Sequence, residues 1–279
     1  MKKLKIGIIG VGRLGYEHAC NIANRVPGSE LVAIADANFD RAKQVAEELG
    51  VTAVYNDPKD LCADPNVEAV AIITNTASHV EMIKIAMDAG KHVFCEKPLA
   101  DTVEKCKEAE AIIAAHPELT FMLGFMRRYD HSYQVAKKKM ENGDIGDVIL
   151  VRCYSQDPIS IIEGTLEYAP RSGGQFIDMS IHDFDLIRWL TGSEVKELWA
   201  TGGCYEFKQY KDWDDGDNVS GLMKMENDAM AFFFAGRAAA HGSHVETEIV
   251  GTRSTLHIAS VPTDSPVEVM RRYGVCRVC

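Results

Sequence analysis

Residues 3–15, KLKIGIIGVGRLG, decide the fold of this chain. A short apolar run enters a turn with three glycines, Gly10, Gly12 and Gly15, and the next apolar run ends at Asp36. This order is typical of a βαβ unit that binds a dinucleotide, because the glycines let the backbone approach a pyrophosphate at a helix N-terminus while the carboxylate accepts the ribose hydroxyls. A purely structural tight turn is the alternative, and the flanking strand, helix and distant acid disfavour it.

The acid after the second apolar run also selects the cofactor. Asp36 would repel the 2′-phosphate of NADP, and the next three residues, Ala37-Asn38-Phe39, offer no arginine to bind it; Arg41 is the nearest. The sequence therefore predicts NAD. The predicted cofactor residues of this segment are Gly10, Gly12, Arg13, Leu14, Gly15, Asp36 and Ala37.

The composition limits the class of protein. The 279 residues are 46% hydrophobic, enough for a substantial core and two domains, and the formal net charge is −11. An acidic chain is unsuited to nucleic acid, because that binding depends on Lys and Arg neutralising phosphates. The apolar runs are too short to cross a bilayer and the first residues lack a signal-peptide cleavage site, so we expect a soluble protein without nucleic-acid or membrane partners.

The cysteines and histidines predict no metal site. The eight cysteines show no disulfide spacing, so a reducing compartment, the cytoplasm, is expected. Cys276-x-x-Cys279 has neither a second ligand pair nor a helix start after the first cysteine, and we interpret it as structural or incidental. His241 and His244 could be metal ligands with Asp185, but two histidines without a third ligand motif are more often part of a polar network.

The hydrophobic pattern divides the chain into two domains. Over residues 1–123, strands alternate with helices, which predicts a Rossmann-type α/β domain. Residues 124–279 are rich in strands, and the hairpin-like segment 225–229 favours an α+β domain with a large, mainly antiparallel open sheet. Predicted strands are 5–9, 31–35, 69–74, 92–95, 120–123, 148–154, 195–203, 219–225, 230–234, 245–250 and 255–259; predicted helices are 41–49, 78–89, 103–114, 131–140 and 176–190.

Two short motifs could carry chemistry. Lys97, in Glu96-Lys97-Pro98, directly follows a predicted strand, so it lies at the carboxyl edge of a parallel sheet, where such sheets bind ligands; a surface lysine leaving a strand end is the alternative. Asp178 and His182 are four residues apart on the helix predicted after Gly173-Gly174 and would share one face. A histidine beside a carboxylate suits removal of an alcohol proton, although an acid serving the helix dipole and a packed histidine would look the same.

These motifs, in this order, resemble the Gfo/Idh/MocA family of sugar and polyol dehydrogenases. The resemblance covers essentially the whole chain, and residues 124–130, GFMRRYD, and 180–185, SIHDFD, are most similar to the inositol 2-dehydrogenases of that family. It implies oxidation of a cyclic polyol, myo- or scyllo-inositol, to the inosose by hydride transfer to NAD. It also implies a homotetramer, and the apolar run Phe232-Phe233-Phe234, more than one sheet face can bury, agrees with association through the second sheet.

The resemblance assigns roles residue by residue. Lys97, Asp178 and His182 form the catalytic group; we assign His182 as general base, Asp178 as the group that orients it, and Lys97 as the cation that stabilises the developing alkoxide. Further cofactor residues are Thr74, Asn75, His79, Glu96 and Lys97. Met126 and Arg127 line the substrate pocket, and the candidates for binding substrate hydroxyls, besides His182, are Tyr154, Asp157, His241 and His244.

Two departures from the family pattern matter. Many inositol dehydrogenases carry a histidine and an arginine after the strand at 148–154, where this chain has Ser155-Gln156-Asp157-Pro158, so another sugar or aldose is an alternative substrate. A non-catalytic nucleotide-binding regulator is a second alternative, disfavoured by the presence of Lys97 and His182. Family members also continue past the sheet into a long helix, whereas this sequence ends at Cys279; we expect a truncated end, an exposed apolar patch on the first domain and reduced stability.

Overall fold

The computed structural model describes residues 2–239, 241–259, 268–271 and 274–277. The chain divides into two compact units, Met1–Gly124 and Phe125–Cys279. The predicted fold class is confirmed: a Rossmann-type parallel sheet is followed by a domain with a mixed, mainly antiparallel sheet.

The first unit is a six-stranded parallel sheet in the order β3-β2-β1-β4-β5-β6. Its strands are β1 Leu4–Ile9, β2 Ser29–Ala35, β3 Ala53–Tyr55, β4 Ala69–Ile72, β5 His92–Cys95 and β6 Phe121–Leu123. Its helices are α1 Arg13–Asn24, α2 Phe39–Leu49, α3 Pro58–Ala63, α4 His79–Asp88 and α5 Val103–Ala114, with a 3₁₀ turn at Thr76–Ser78.

Both faces of this sheet are buried. Ile8 and Ile34 pack into one apolar cluster, whereas their neighbours Ile9 and Ala35 pack into another. Side chains alternate between the faces of a strand, so the two clusters lie on opposite sides of the sheet, as helices on both faces require. The order of strands reverses between β1 and β4, which is where open parallel sheets bind ligands.

The second unit contains a six-stranded sheet in the order β12-β11-β7-β10-β9-β8, in which β7 and β10 run parallel and the other neighbouring pairs are antiparallel. Its strands are β7 Val148–Pro158, β8 Val195–Gly203, β9 Asn218–Met225, β10 Met230–Ala239, β11 His244–Gly251 and β12 Thr255–Ala259, with a separate hairpin of β13 Glu268–Arg271 and β14 Gly274–Arg277. Its helices are α6 His131–Glu141, α7 Ile162–Tyr168, α8 Gln175–Asp178 and α9 Ile181–Thr191, with 3₁₀ turns at Met126–Tyr129, Ile159–Ile161, Ala169–Arg171 and Lys208–Trp213.

One face of the second sheet packs against α9. Leu186 and Ile187 of α9 share an apolar cluster with Cys153 and Phe233 of the strands. The residues that alternate with these, such as Tyr154, therefore point to the opposite face.

The helix predicted over residues 176–190 is wrong as a single element. Its backbone ladder is interrupted at Ser180, whose N–H donates to the carbonyl of Gln175, five residues back, so α8 ends at Asp178 and α9 begins at Ile181. Asp178 and His182 consequently belong to different helices.

Candidate active site

The glycine turn after β1 leaves an open approach to the N-terminus of α1. Gly10 has φ of +89°, and a Cβ there would lie 2.5 Å from the carbonyl oxygen of Ile73. A Cβ on Gly15 would lie 2.0 Å from the carbonyl oxygen of Gly10, so both positions require glycine for packing. A Cβ on Gly12 would have no described neighbouring atom within 4 Å. Gly12 is therefore the glycine that leaves room for an approaching ligand.

The N-terminus of α1 suits an anion. Its N-cap is Gly12, which has no side chain to occupy the first backbone N–H groups, and its first turn contains no acidic residue. Such N–H groups and the helix dipole bind phosphate. These residues fit the pyrophosphate of a dinucleotide.

Asp36 fits the adenosine ribose. One carboxylate oxygen accepts the N–H of Val11 at 2.7 Å and the other accepts the N–H of Asn38 at 2.8 Å, which fixes the side chain at the end of β2. A carboxylate has about four acceptor positions, so two backbone donors leave capacity for a diol. Arg41 donates to the carbonyl of Val11 at 3.2 Å and lies 5.1 Å from the centre of the Tyr16 ring, so the nearest arginine is engaged by the protein.

A cavity of about 470 Å³ joins these groups within the first unit. Six predicted cofactor residues line it: Gly10, Gly12, Asp36, Ala37, Thr74 and Asn75. Sequence reasoning missed its other lining residues, Ile9, Ala35, Asn56, Pro58, Ile73, Ser78 and Met82. Two of these, Asn56 and Pro58, follow the short strand β3, which the sequence pattern did not reveal. Of the remaining predicted residues, Arg13, Leu14 and Gly15 form the first turn of α1.

His79 and Glu96 connect helices α4 and α1 to the segment that follows β5. Nδ1 of buried His79 donates to the carbonyl of Pro98 at 2.8 Å, and burial lowers the pKa of His79. His79 thus ties α4 to the loop that carries Lys97. Glu96 lies 2.8 Å from Nε2 of His18 in α1 and also accepts the N–H of Lys97 at 3.1 Å. Lys97 follows β5 at the carboxyl edge of the sheet, the position that its sequence context predicts.

In the second unit, Asp178 belongs to a buried charge cluster. Gly174, with φ of +88°, is the N-cap of α8, and Asp178 is the last residue of that helix. One oxygen of Asp178 accepts from Arg237, and the other accepts from the hydroxyl of Tyr168 at 3.0 Å. Arg237 also donates to Asp157 at 3.0 Å. The guanidinium therefore joins two of the predicted site residues.

His182 lies in the first turn of α9, next to a second buried cluster. Its neighbour Asp183 accepts from Arg127 at 2.7 Å and from the hydroxyl of Ser155 at 2.6 Å. Arg127 also donates to Ser155 at 2.8 Å. Burial alone would lower the pKa of Arg127, but the charge of Asp183 raises it overall, so the guanidinium is charged. Burial raises the pKa of Asp183, and Arg127 and Ser155 oppose that rise. The ring of Phe125 meets the His182 ring edge-on, with centroids 6.4 Å apart.

The structure does not group all of the predicted substrate residues together. Met126 is exposed, and Arg127 is engaged as described above. Tyr154 packs with Phe232 and Phe234 and stacks on His244, on the sheet face opposite α9. His241 lies 3.2 Å from His244. Tyr154, His241 and His244 therefore form a cluster separate from α9 and His182.

Arg237, Ser155, Asp183 and His18 were missed as site residues by sequence reasoning. A signal for Arg237 exists, because it is the one charged residue in the apolar run 229–240. A charge inside such a strand is informative, since arginine is rarely buried without a partner.

Among the described residues, no helix has the length and apolar character that crossing a membrane would require. Within the same residues, no group of three His, Cys, Asp or Glu side chains is arranged to hold a metal ion. Six cysteines in the described part of the chain are free, and the Cys276–Cys279 pair lies outside the residues whose side chains are described.

The sequence and structure match known proteins over both units. Residues 4–125 match the Gfo/Idh/MocA oxidoreductase family with an NAD-binding Rossmann fold, and residues 133–257 match the Gfo/Idh/MocA C-terminal domain. The scyllo-inositol 2-dehydrogenase (NAD(+)) of Bacillus subtilis is 34% identical over 93% of this chain and 75% of its own length. The myo-inositol 2-dehydrogenase of Thermotoga maritima is 35% identical over 92% of this chain and 76% of its own length.

A solved structure extends the likeness to three dimensions. The scyllo-inositol dehydrogenase from Lactobacillus casei, with bound NAD(H) and scyllo-inositol, is 42% identical and superposes with a TM-score of 0.89 over 99% of this chain and 82% of that one. The predicted oxidoreductase activity and NAD cofactor are thereby confirmed. This chain is a member of the Gfo/Idh/MocA family of NAD-binding oxidoreductases.

Proposed function

We propose that this protein oxidises myo- or scyllo-inositol to the corresponding inosose with NAD as the hydride acceptor. The observation that carries the proposal is the likeness, over 99% of the chain, to a dehydrogenase solved with NAD(H) and scyllo-inositol bound. The cofactor half-site built by Gly12 and Asp36 supports it independently.

The proposal gives three residues chemical roles. NAD, when bound, supplies the carbon that accepts hydride. His182 takes the hydroxyl proton as general base, and Asp178 orients the imidazole and stabilises its protonated form. Lys97 donates a hydrogen bond to the reacting oxygen and stabilises its developing negative charge. Met126 is proposed to contact the polyol, and Arg127 to hold α9 in place through Asp183.

The proposal is tested by following NADH formation at mildly alkaline pH. The purified chain is offered myo-inositol, scyllo-inositol and several aldoses, each with NAD and, as a control, with NADP. We expect NADH formation with at least one inositol and a much lower rate with NADP, because Asp36 repels the 2′-phosphate. Absence of turnover with both inositols would contradict the proposal.

Another sugar of similar size is a second candidate substrate. The hydroxyl of Ser155 is committed to Arg127 and Asp183, and Asp157 is paired with Arg237. Polar groups that bind each other are less available to sugar hydroxyls. The residues that bind substrate hydroxyls here therefore differ from those of inositol dehydrogenases that carry a histidine and an arginine after this strand. A rate with an aldose above that with both inositols would favour this second candidate.

We also propose that the protein forms a homo-oligomer, as a tetramer, through the sheet of the second unit, and works in the cytoplasm. On the face opposite α9, Trp199 pairs with Leu222, and Leu222 pairs with Phe232. Trp199 and Leu222 are 64% and 54% exposed, so an apolar row crosses three strands. A second copy of the same face is the proposed occupant, because large exposed apolar rows commonly mark protein interfaces. The six free cysteines support a reducing compartment.

A further inference from the structure

Arg237 lies near the C-terminal end of a strand whose other residues are apolar or glycine. It belongs to β10, and its side chain is only 6% exposed. Its backbone N–H donates to the carbonyl of Asp217 at 2.9 Å, which fixes the start of its side chain. Burying a guanidinium costs free energy unless carboxylates or other acceptors bind it. The groups that bind Arg237 therefore indicate its role.

Those partners are two carboxylates from different elements. One terminal nitrogen donates to Asp178 at the end of α8, and the other donates to Asp157 on β7, 3.0 Å away. Burial alone would lower the pKa of Arg237, but Asp178 and Asp157 raise it overall. The guanidinium is therefore permanently charged and bridges β10 to two other elements.

The balance of charge in this cluster suits an acid–base site. One guanidinium shared by two carboxylates leaves one unit of negative charge. A lone buried pair of carboxylates would repel each other and bind a proton, whereas a shared cation lets both stay ionised. Other titratable groups near Asp178 within this unit include Tyr168, whose hydroxyl donates to it, and Tyr210, which interacts electrostatically with Asp178 and also with Asp215 and Asp217.

We propose that Arg237 is a positioning residue for the reaction, because it holds Asp178 as an ionised carboxylate in a single orientation. This inference rests on the proposed function, in which Asp178 orients His182 and stabilises its protonated form. Arg237 acts through Asp178 and contacts neither substrate nor cofactor in this account. Residual negative charge on the cluster then favours the imidazolium that forms when the alcohol gives up its proton.

The test compares Arg237→Gln and Arg237→Lys with the wild type and with Arg188→Gln. Arg188 is a matched control, because it makes a two-pronged ion pair with Glu194 but is half-exposed and outside the proposed site. For each protein, kcat and KM for the best inositol are measured across pH, together with NADH binding and thermal unfolding.

Arg237→Gln is expected to lower kcat roughly 10- to 100-fold, since a misplaced catalytic group can cost about 100-fold. In the pH profile of kcat for Arg237→Gln, the fall in activity on the acid side should move to higher pH, because Asp178 loses the cation that keeps it ionised. We call this side of the profile the acid limb. Arg237→Lys should restore the position of that limb while recovering only part of kcat. NADH affinity should stay within about twofold, and Arg188→Gln should match the wild type.

Two outcomes would overturn the inference. A folded Arg237→Gln protein with the wild-type acid limb and kcat would show that Arg237 has only a structural role, as would a loss confined to the unfolding temperature. If Arg237→Gln does not fold, Arg237→Lys carries the test: an unchanged kcat and acid limb despite loss of the two-pronged geometry would contradict the inference.

A second readout separates this inference from the proposed function. The carboxyl carbons of aspartate are labelled with ¹³C, and the Asp178 signal is assigned from its loss in Asp178→Asn. In Arg237→Gln, which removes the cation, Asp178 should become protonated at higher pH than in the wild type whichever substrate the enzyme uses. An unshifted titration contradicts the role of Arg237, whereas inactivity of the wild type toward inositols contradicts only the proposed function.

Discussion

The arginines of this protein form two kinds of ion pair, buried and exposed. Arg127 and Arg237 are buried and hold carboxylates beside the proposed catalytic residues, whereas Arg188 binds Glu194 near the surface. Exposed pairs of the second kind contribute about 0–1 kcal/mol to stability. Breaking a buried pair costs more, because the remaining partner is left as an uncompensated charge.

Lys97 is the residue whose replacement most directly tests the proposed chemistry. Lys97→Met should lower kcat about 100- to 1,000-fold, because it removes a donor that stabilises developing negative charge. NAD binding should be preserved, since Asp36 and the glycine turn are unchanged. Stopped-flow rates and NADH fluorescence titration measure the two effects.

Lys107→Met provides the control, because Lys107 is an exposed residue of α5. Its kinetic constants should match those of the wild type. Near-normal turnover in Lys97→Met would refute the role given to Lys97.

At the residue scale, the sequence predicted contacts that a local motif dictates. The roles of Gly10, Gly12 and Asp36 follow from their spacing, because a strand, turn and helix fix where each must lie. The partners of Arg237 could not be predicted in the same way. Asp178 is 59 residues away, and only the folded sheet brings the two together.

Among the helices and strands, most were predicted and several short ones were missed. The predicted bounds of β5, α5 and β8 agree with the structure residue for residue. The strand β3 has three residues and α3 has six, too few to show a hydrophobic period. The division between α8 and α9 was also missed, because it arises from a backbone hydrogen bond at Ser180 and not from a glycine or proline.

Asp217 holds the connection between β8 and β9. Its carboxylate accepts the N–H groups of Tyr205, Glu206 and Phe207 at 2.9, 2.7 and 2.7 Å. Burial alone would raise the pKa of Asp217, but these backbone donors lower it below 3.8 overall. A carboxylate with a lowered folded-state pKa stabilises the fold above its unfolded-state pKa, and this contribution is lost as the pH falls through the folded-state value.

Asp217→Asn should therefore lower the free energy of unfolding by about 1–3 kcal/mol at neutral pH, because the three donors lose a charged acceptor. The difference from the wild type should shrink as the pH falls below about 4. Urea unfolding across pH measures it, with exposed Asp212→Asn as the control. A variant as stable as the wild type at neutral pH would contradict this role.

At the scale of the whole molecule, the exposed row on the second sheet predicts association. Leu222→Asp should reduce the molar mass measured by light scattering after size-exclusion chromatography, because a charge at the centre of an apolar interface must be desolvated. Val103→Asp, at an exposed apolar position on α5, should leave the mass unchanged. A monomeric wild type, or a Leu222→Asp protein of wild-type mass, would contradict the proposed interface.

The sequence predicted the ligand of the first unit more fully than that of the second. The first unit carries a motif that specifies its cofactor, so NAD was predicted from the residues. The second unit offers buried charges and a half-covered sheet, which specify a polar site but not which hydroxyls it binds.

Transfer of deuterium shows whether hydride passes from the ring of the polyol to NAD. The protein is incubated with NAD and with myo- or scyllo-inositol carrying deuterium on every ring carbon, and the reduced cofactor is analysed by mass spectrometry. We predict reduced cofactor that has gained one deuterium from at least one inositol. Reduced cofactor without deuterium, or none formed from either inositol, would contradict hydride transfer from the polyol ring.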